Sequence, residues 1–226
     1  MTATRTIEIH EAVLDKNRAI AEQNRALLAT SNALAINLMS SPGSGKTSLL
    51  ERTLTELSEA ISIGVIVGDL ATDNDGRRLG GRNAQVIQIT TGDICHLDAS
   101  MVGTALASFD PVPNLVFIEN VGNMVCPAAF DLGERVRVAL LSVTEGEDKP
   151  LKYPTLFRTA DAVIVTKLDI AEVCEFDAEA ARANIVATAP NAVTFWLSVR
   201  TGAGMEAWYQ WLRDHVGERT AHGDAI

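Results

Sequence analysis

The sequence has few cysteines, few aromatic residues and no long apolar run. Three cysteines among 226 residues do not form the dense, paired set of a disulfide scaffold. No run approaches the roughly 18 consecutive apolar residues that a membrane-spanning helix requires. The charged residues within 1–16 are not the pattern of a secretory signal peptide. We therefore expect a cytoplasmic protein that does not engage a membrane.

Basic residues are also in deficit. Nineteen Lys and Arg stand against 29 Asp and Glu, which gives a formal net charge of -10. An acidic surface repels phosphate backbones, so we expect no nucleic-acid partner. The 47% apolar content and 16 glycines are typical of a chain with a continuous core and tight turns. The length predicts one domain, or one domain with an appendage.

Short apolar runs alternate with helical patterns along most of the chain. The runs, which predict seven strands, are 33–39, 61–67, 84–90, 115–118, 138–143, 162–165 and 192–197. Helical patterns between them indicate right-handed crossovers and a mostly parallel sheet, so the predicted fold class is α/β. We predict an N-terminal helical extension over 1–32, a main domain over 33–218 and a flexible tail over 219–226.

A phosphate-binding loop follows the first apolar run. The segment 40–47 reads SSPGSGKT and matches G-x-x-x-x-G-K-[ST] except that Ser40 replaces the first Gly. The backbone amides at the start of the following helix are suited to phosphate oxygens. Lys46 would neutralise the β- and γ-phosphates, and the Thr47 hydroxyl would ligate Mg²⁺. The predicted nucleotide-contacting residues here are Pro42, Gly43, Ser44, Gly45, Lys46, Thr47 and Ser48.

Two later segments predict guanine as the base. Thr166-Lys167-Leu168-Asp169 is close to the Asn-Lys-x-Asp motif of GTPases, with Thr in place of Asn. A carboxylate at Asp169 can accept both the N1 and N2 hydrogens of guanine, a donor pair that adenine lacks. The Lys167 stem can cover a purine face. Ser198 and Val199 begin a segment that resembles the GTPase loop contacting the guanine carbonyl.

Acidic residues at the ends of the second and fourth runs are candidates for magnesium binding and for switches. Asp69, Thr72, Asp73 and Asp75 follow the second run, where α/β sheets bind ligands. Carboxylate oxygens suit Mg²⁺, and of these we prefer Asp69 and Asp75, although each could equally be a solvated turn residue. Glu119-Asn120-Val121-Gly122 takes the place of the Asp-x-x-Gly switch, with Glu119 as the acid and Gly122 as the γ-phosphate contact.

Three soft or intermediate ligands follow the third and fourth strands. Cys95 and His96 lie after the third run and Cys126 after the fourth, so both loops leave the same edge of the sheet. Two thiols and an imidazole suit Zn²⁺ or Ni²⁺ rather than Mg²⁺. Three ligands are one short of a closed tetrahedral site, so water or a second copy of the chain would complete it. We expect Cys174 to be a packing residue, and His10, His215 and His222 to be solvated or structural.

The combination of these segments resembles the hydrogenase nickel-incorporation GTPases of the HypB family. The resemblance also covers Asn24-Arg25, Cys95-His96-Leu97-Asp98, the stretch 119–127 and Lys149-Pro150-Leu151-Lys152-Tyr153-Pro154. It implies a dimerising GTPase that forms a homodimer in response to nucleotide, with the Cys95, His96 and Cys126 site at the dimer interface. It also implies delivery of nickel to the large-subunit precursor of [NiFe] hydrogenase, together with a small partner nickel metallochaperone.

Two departures from that family modify the expectation. The first cysteine is Cys95, and His10 is the only histidine before it, so we expect neither the high-affinity N-terminal nickel motif nor the His-rich storage tract of some members. Many dimerising relatives carry a second lysine early in the phosphate loop, where this chain has Ser41. We therefore expect slow GTP hydrolysis.

The predicted function is that of a GTP-hydrolysing metallochaperone using GTP or GDP, Mg²⁺ and Ni²⁺ or Zn²⁺. In this interpretation GTP orders the loops after the second and fourth strands, and the Glu119 to Cys126 stretch transmits the change to the metal. Two rivals remain open. One is a small-molecule kinase with the same phosphate loop, which would leave the guanine and metal segments without a purpose. The other is a nucleotide-gated zinc-binding or regulatory module that delivers no metal.

Overall fold

The computed structural model describes residues 9–223, with side chains described between residues 12 and 217. Seven strands form one sheet: β1 (Leu34–Met39), β2 (Ile63–Asp69), β3 (Gln85–Thr90), β4 (Leu115–Glu119), β5 (Val136–Ser142), β6 (Ala162–Thr166) and β7 (Val193–Trp196). Each of the seven runs identified in the sequence overlaps one of these strands. The sheet order is β3-β2-β4-β1-β5-β6-β7, and every pairing is parallel. The predicted parallel α/β architecture is confirmed.

Nine α-helices are described within residues 9–223. They are α1 (Ile9–Thr30), α2 (Lys46–Leu57), α3 (Asn74–Leu79), α4 (Ala99–Leu106), α5 (Cys126–Ala129), α6 (Lys149–Lys152), α7 (Pro154–Arg158), α8 (Ala178–Thr188) and α9 (Met205–Gly223). The short helices α3, α5, α6 and α7 were not predicted from the sequence. None of the described helices is long and apolar enough to span a membrane.

The sheet is covered on both faces, which explains the unbroken apolar character of its central strands. All six residues of β1 and all five of β4 are buried. One layer packs α2 and α9 against the sheet around Trp208, while another packs α1 and α4 around Leu97. Burial of one Leu or Ile side chain contributes roughly 1.5–3 kcal/mol. These layers therefore hold the strand ends, and the loops that leave them, in fixed positions.

Side chains cap the helices that begin close to the loops of interest. The Asp98 carboxylate accepts a hydrogen bond from the Met101 amide at 2.8 Å and starts α4. Asp177 accepts one from the Ala180 amide at 2.9 Å and starts α8. A cap of this kind contributes about 1 kcal/mol. Because Asp98 follows His96 by two positions, the cap also fixes where the segment bearing Cys95 and His96 joins the helix.

The termini bear on the predicted division of the chain. Helix α1 lies within the predicted extension 1–32, and its residues 1–8 lie outside the described residues. Helix α9 runs to Gly223, five positions past the predicted end of the main domain, while residues 224–226 lie outside the described part. The division into extension, domain and tail stays a prediction.

Candidate functional site: a nucleotide cleft beside a three-ligand cluster

The phosphate loop connects β1 directly to α2, at the point where the sheet order places β4 on one side of β1 and β5 on the other. Ligands of α/β proteins bind at such a point, beyond the carboxyl ends of the strands. Gly43 and Gly45 adopt φ values of 72° and 103°, a left-handed conformation that glycine adopts without strain. The loop therefore wraps around the first turn of α2 and presents its amides to an anion.

Lys46 is buried in the phosphate loop, with 7% of its surface exposed. Its ammonium donates a hydrogen bond to the Ser40 hydroxyl at 3.0 Å, and Ser44 also hydrogen-bonds to Ser40. Burial lowers the pKa of Lys46, and the nearby Glu119 opposes that shift. Ser40 thus does a task that Gly could not, since it supplies the polar partner of the lysine.

A cavity of about 390 Å³ opens above this loop. The predicted phosphate, magnesium and switch residues that line it are Pro42, Gly43, Gly45, Lys46, Thr47, Ser48, Asp69, Asp75, Glu119 and Gly122. The structure therefore brings together residues from three segments of the chain. Ser44 does not line this cavity but lines the neighbouring one.

Thr47 and Glu119 face each other at the bottom of the cavity. The Thr47 hydroxyl donates to Glu119 Oε1 at 2.6 Å, and the other carboxylate oxygen, Oε2, is buried without a partner. Burial raises the pKa of Glu119 to about 7. A hydroxyl and a carboxylate with a free oxygen fit Mg²⁺, which prefers oxygen ligands and would stabilise the ionised carboxylate. These two residues would hold the ion, and the ion would neutralise phosphate charge.

The acidic residues after β2 differ in what surrounds them. One Asp69 oxygen accepts hydrogen bonds from the backbone amides of Ala71 and Thr72, at 3.0 and 2.8 Å, so it is engaged in its own turn. Asp75 lines the phosphate cavity and pairs with Arg78 at 3.3 Å. Asp73 pairs with Arg77 outside the cavity. Of the predicted magnesium candidates in this segment, Asp75 lies against the phosphate space with the fewest competing contacts.

Arg78 was not identified from the sequence. Its guanidinium lines the phosphate cavity and bonds Glu51 at 2.6 Å and Ser48 Oγ at 3.2 Å. An arginine nine positions past the end of β2 carries no motif of its own. Only the fold of α3 against α2 brings it to the phosphate space.

A second cavity, of about 420 Å³, adjoins the first through Gly45, Ser48 and Lys167. Asp169 and Val199 line it, together with Thr166 and Arg200. The Ser198 hydroxyl donates to Asp169 Oδ1 at 2.5 Å, and this hydrogen bond lowers the pKa of Asp169. The carboxylate is thereby kept ionised as an acceptor. A base pocket next to a phosphate pocket is the arrangement a nucleotide needs.

Thr166 and Lys167 connect the base segment to the phosphate loop. The Thr166 hydroxyl donates to the Ser44 carbonyl at 2.7 Å, and the Lys167 ammonium donates to the Gly43 carbonyl at 2.7 Å. Thr166 therefore supports the phosphate loop although it replaces the usual Asn. Lys167 adopts φ 63°, which turns its side chain back over the loop.

Cys95, His96 and Cys126 form a cluster along the same edge of the sheet. Their ligand atoms all lie within 4.8 Å of one another, and each residue is half-buried. The two sulfurs are 3.1 Å apart. His96 Nδ1 is buried without a hydrogen-bond partner. This is the only such group of His, Cys, Asp and Glu among the described residues.

The protonation of the cluster suits a soft cation. Burial lowers the pKa of His96, so the imidazole is neutral at physiological pH and can offer a lone pair. The hydrogen bond with the Cys95 thiol, together with burial, raises the pKa of Cys126. A metal ion would then have to displace thiol protons to bind. His96 also stacks on Phe130 with ring centroids 4.0 Å apart, which fixes the ring plane.

Two asparagines join the phosphate edge to this cluster. Asn120 accepts a hydrogen bond from the Leu97 amide at 3.1 Å, and Asn123 donates to the Cys95 carbonyl at 3.3 Å. Between them, Gly122 packs so closely on the phosphate loop that a Cβ there would lie 2.9 Å from the Cα of Pro42. The segment that begins at Glu119 thus contacts both the phosphate loop and the loop 91–98, which carries Cys95 and is called the Cys95 loop below.

The remaining predictions have mixed outcomes. The expectation that Cys174 packs inside the protein was wrong, because its side chain is exposed in the turn that precedes α8. His215 is structural: its Nδ1 lies 2.8 Å from the Trp211 carbonyl. The side chains of His10 and His222 lie outside the described residues.

Comparison with known proteins gives consistent matches. Residues 34–194 match the family described as "CobW/HypB/UreG, nucleotide-binding domain". The chain is 49% identical, over 97% of its length and 74% of the relative's, to the hydrogenase maturation factor HypB of Rhizobium leguminosarum bv. viciae. It superposes with a TM-score of 0.85 on HypB from Archaeoglobus fulgidus, at 39% identity over 90% of this chain and 100% of that one. HypB from Helicobacter pylori in complex with nickel gives the same TM-score, at 37% identity over 90% and 96% of the two chains.

Proposed function

The chain belongs to the CobW/HypB/UreG nucleotide-binding family, and within it to the HypB hydrogenase maturation factors, and from that premise we propose that it is a GTP-hydrolysing metallochaperone for nickel. The observation that carries the proposal is the position of a three-ligand cluster beside a P-loop cleft, with one segment contacting both. Its relatives include a HypB described in complex with nickel. Nickel, or zinc at the same ligands, is cargo in this scheme.

The nucleotide would bind across the two adjoining cavities. Its phosphates would lie against Lys46 and the loop amides, and its guanine against Asp169 beside Ser198 and Val199. Mg²⁺ would be held by Thr47 and Glu119, with Asp75 or Asp69 contributing through the segment after β2. Glu119 Oε2 has no hydrogen-bond partner, so Mg²⁺ would engage it and would draw on the start of the switch segment when the nucleotide is loaded.

That movement would reach the cluster by a short path. The seven steps from Glu119 to Cys126 span at most about 23 Å, and Asn120 and Asn123 bind the Cys95 loop along the way. A shift of Gly122 toward a γ-phosphate would pull on both ligand segments. GTP, Mg²⁺ and cargo metal would therefore influence one another, as linked ligands must.

Slow turnover follows from the start of the phosphate loop. Where many dimerising relatives carry a second lysine, Ser41 donates to Glu145 at 2.5 Å. Through this hydrogen bond, Glu145 places a carboxylate beside the phosphate loop, where those relatives have a positive charge. Burial raises the pKa of Glu145, which limits its charge without supplying the cation that phosphoryl transfer uses. We propose a GTPase that hydrolyses slowly until a second copy of the chain or a partner completes the site.

The cellular partners proposed for this chain are a second copy of itself in a nucleotide-dependent homodimer, a small nickel metallochaperone and the hydrogenase large-subunit precursor. The three-ligand cluster supports the homodimer, because a metal with three protein ligands accepts a further one. The other partners follow from the family. The proposed site of action is the cytoplasm.

Nickel transfer to the hydrogenase precursor tests the function as a whole. The chain, loaded with ⁶³Ni²⁺ and GTP, is mixed with metal-free precursor, and nickel in the precursor is counted against a free-ion control and a Cys126→Ala variant. We expect GTP-dependent transfer that exceeds both controls. Metal binding that depends on nucleotide but yields no transfer would support the regulatory module instead. Phosphate transfer from GTP to a small acceptor would support the kinase.

A further inference from the structure

Helix α1 buries two asparagines on the face that it turns toward the rest of the protein. Asn17 and Asn24 are 7% and 4% exposed. Asn24 follows Asn17 by seven positions, which is about two helical turns, so both side chains point in the same direction. Neither residue lines the phosphate or the base cavity. Buried amides at these positions need partners, and their partners are informative.

Each asparagine joins the same two segments of the chain. The Asn17 side chain accepts a hydrogen bond from the Ala99 amide at 2.8 Å and donates one to the Asp131 carbonyl at 2.7 Å. The Asn24 amide nitrogen donates to the Ala99 carbonyl at 2.8 Å and to the Leu132 carbonyl at 2.9 Å. Two side chains of α1 therefore fasten the first residue of α4 to the segment that follows α5.

These two segments are the ones that carry the cluster ligands. Ala99 comes three positions after His96, and Asp131 comes five positions after Cys126. Phe130, next to Asp131, stacks on His96 and lines a cavity together with Asn17 of α1. The helix thus contacts the two segments that carry the halves of the cluster.

Glycines allow α1 to approach this closely. A Cβ on Gly103 of α4 would lie 2.6 Å from Asn24 Oδ1, and one on Gly133 would lie 2.6 Å from Asn24 Cβ. Arg25 adds an ion pair with Asp131 at 2.8 Å. The contact is specific as well as close, because the side chain at position 17 must supply an acceptor for the Ala99 amide and a donor for the Asp131 carbonyl. Alanine offers neither, and aspartate offers only the acceptor.

We propose that α1 is a positioning element for the metal site, in which Asn17 and Asn24 set the distance between the Cys95–His96 segment and the Cys126 segment. This inference rests on the proposed function of the cluster. Groups that orient metal ligands from outside the coordination sphere typically change metal affinity by 10- to 100-fold when they are removed. Loss of either asparagine would let the two ligand segments separate, while the nucleotide cleft keeps its own supports.

The test compares metal and nucleotide affinities in one set of variants. Ni²⁺ and Zn²⁺ are titrated, each alone and against a competing chelator, into the full chain and into Asn17→Ala, Asn24→Ala and Gln23→Ala. Gln23 is the matched control, since it is an exposed amide on the same helix. We expect about tenfold weaker metal binding in each asparagine variant, with an altered thiolate-to-nickel absorption band. GDP affinity should stay within about twofold, and Gln23→Ala should match the unmodified chain.

Arg25→Gln provides a second route should the asparagine variants fail to fold, which circular dichroism and GDP binding would reveal. Its guanidinium is half-buried and bonds Asp131 and Glu134, so we expect a smaller loss of metal affinity, about threefold, in a folded protein. Asparagine or arginine variants that melt at lower temperature yet bind metal with unchanged affinity would overturn the inference, since α1 would then only stabilise the fold.

A wrong metal site and a wrong role for α1 would give different results. If the unmodified chain binds metal and Cys126→Ala does not, the site stands, and the asparagine variants alone decide the role of α1. If Cys126→Ala binds metal as the unmodified chain does, the proposed site itself is wrong, and the role assigned to Asn17 and Asn24 falls with it.

Discussion

The nucleotide region and the metal region lie along one edge of the sheet, but they are supported in different ways. The phosphate loop joins the central strand β1 to α2, and Lys46 and Glu119 lie buried beneath it. The proposed metal ligands, Cys95, His96 and Cys126, lie on a loop after the edge strand β3 and on the four-residue helix α5. They are half-buried, and amide side chains from α1 and from the switch segment hold the segments that carry them.

This difference indicates which region is free to respond. A loop fixed by buried strands on both sides offers a preformed anion site. Segments held by a few side-chain hydrogen bonds, each worth about 1 kcal/mol, can change their separation at low cost. We infer that the nucleotide region is rigid, and that the metal region is adjustable and changes its ligand separation in response to the nucleotide. The following predictions test whether a change in one region alters ligand binding in the other.

Removal of a metal ligand should give the largest effect and should leave the nucleotide region untouched. Cys126→Ala takes away one of three ligands, so we expect Ni²⁺ and Zn²⁺ affinity to fall by more than about 100-fold, beyond the effect of losing an outer group. GDP affinity should not change. Isothermal titration of both ligands measures this, with the exposed Cys174→Ala as the matched control. Unchanged metal stoichiometry in Cys126→Ala would remove that residue from the site.

The converse change should act on the nucleotide region alone. Lys46→Ala removes a buried ammonium that faces the phosphate space, and hydrogen bonds to charged groups are worth up to about 3 kcal/mol, so GTP affinity should fall by about 100-fold. The exposed Lys152→Ala is the control. Melting curves should show that the variant is folded and that it binds metal in the absence of nucleotide. GTP binding and hydrolysis at the unmodified level would place the phosphate site elsewhere.

Base specificity should change with a smaller loss of affinity. Asp169→Asn keeps the contact with Ser198 but exchanges one acceptor for a donor, so GTP binding should weaken by about 10- to 100-fold and xanthine nucleotides should bind better. Competition between labelled GDP and unlabelled GTP, XTP or ATP measures the order of preference. Asp214→Asn, on the exposed face of α9, is the control. Equal binding of ATP and GTP by the unmodified chain would contradict the assignment.

The last prediction concerns the stability of the fold instead of ligand binding, and it is a pH dependence. Burial raises the pKa of Glu119 from its usual 4.5 to about 7, so the folded state holds this proton more tightly than the unfolded state does. Its contribution to stability is therefore complete below pH 4.5 and is lost as the pH rises through 7. At about 1.4 kcal/mol per pKa unit, the loss is on the order of 3 kcal/mol.

Melting temperatures between pH 5 and pH 8, without nucleotide or magnesium, would measure that loss. Each kcal/mol corresponds to about 2–4 °C for a domain of this size. Glu119→Gln should fall less steeply than the unmodified chain, since the amide carries no charge to bury. Parallel pH profiles for the two proteins would show that the carboxylate is already ionised or paired in the folded state.

Much of the nucleotide region could be predicted because its information is local. The segment 40–47 matches a phosphate-loop pattern within eight consecutive residues, and each apolar run overlaps a strand of the structure. The Thr166 contact with Ser44 could not be foreseen, since Thr departs from the usual motif and its partner lies 122 positions away. Arg78 was missed for a similar reason.

Less of the metal region could be predicted from the sequence, because its supports come from distant parts of the chain. The chemistry of two thiols and an imidazole predicted a ligand set, but nothing in the sequence locates the residues that support it. An asparagine on a helical stretch is indistinguishable from a solvated one until its partner, 82 positions away in the case of Asn17 and Ala99, is known. The short helix α5 begins at Cys126 with Pro at its second position, too brief a segment for a helical pattern. Likewise, an isolated cysteine such as Cys174 gives no sign of its exposure.

The central claim is that the nucleotide state of the rigid region changes the metal affinity of the adjustable one. The most direct test is titration of Ni²⁺ and of Zn²⁺ into the unmodified chain bound to Mg²⁺ and either GDP or a non-hydrolysable GTP analogue, with the mass in solution recorded for each state. We predict that the two affinities differ, and that metal alters affinity for the analogue by the same factor once dimerisation is included. Identical metal affinities in both nucleotide states would contradict the account.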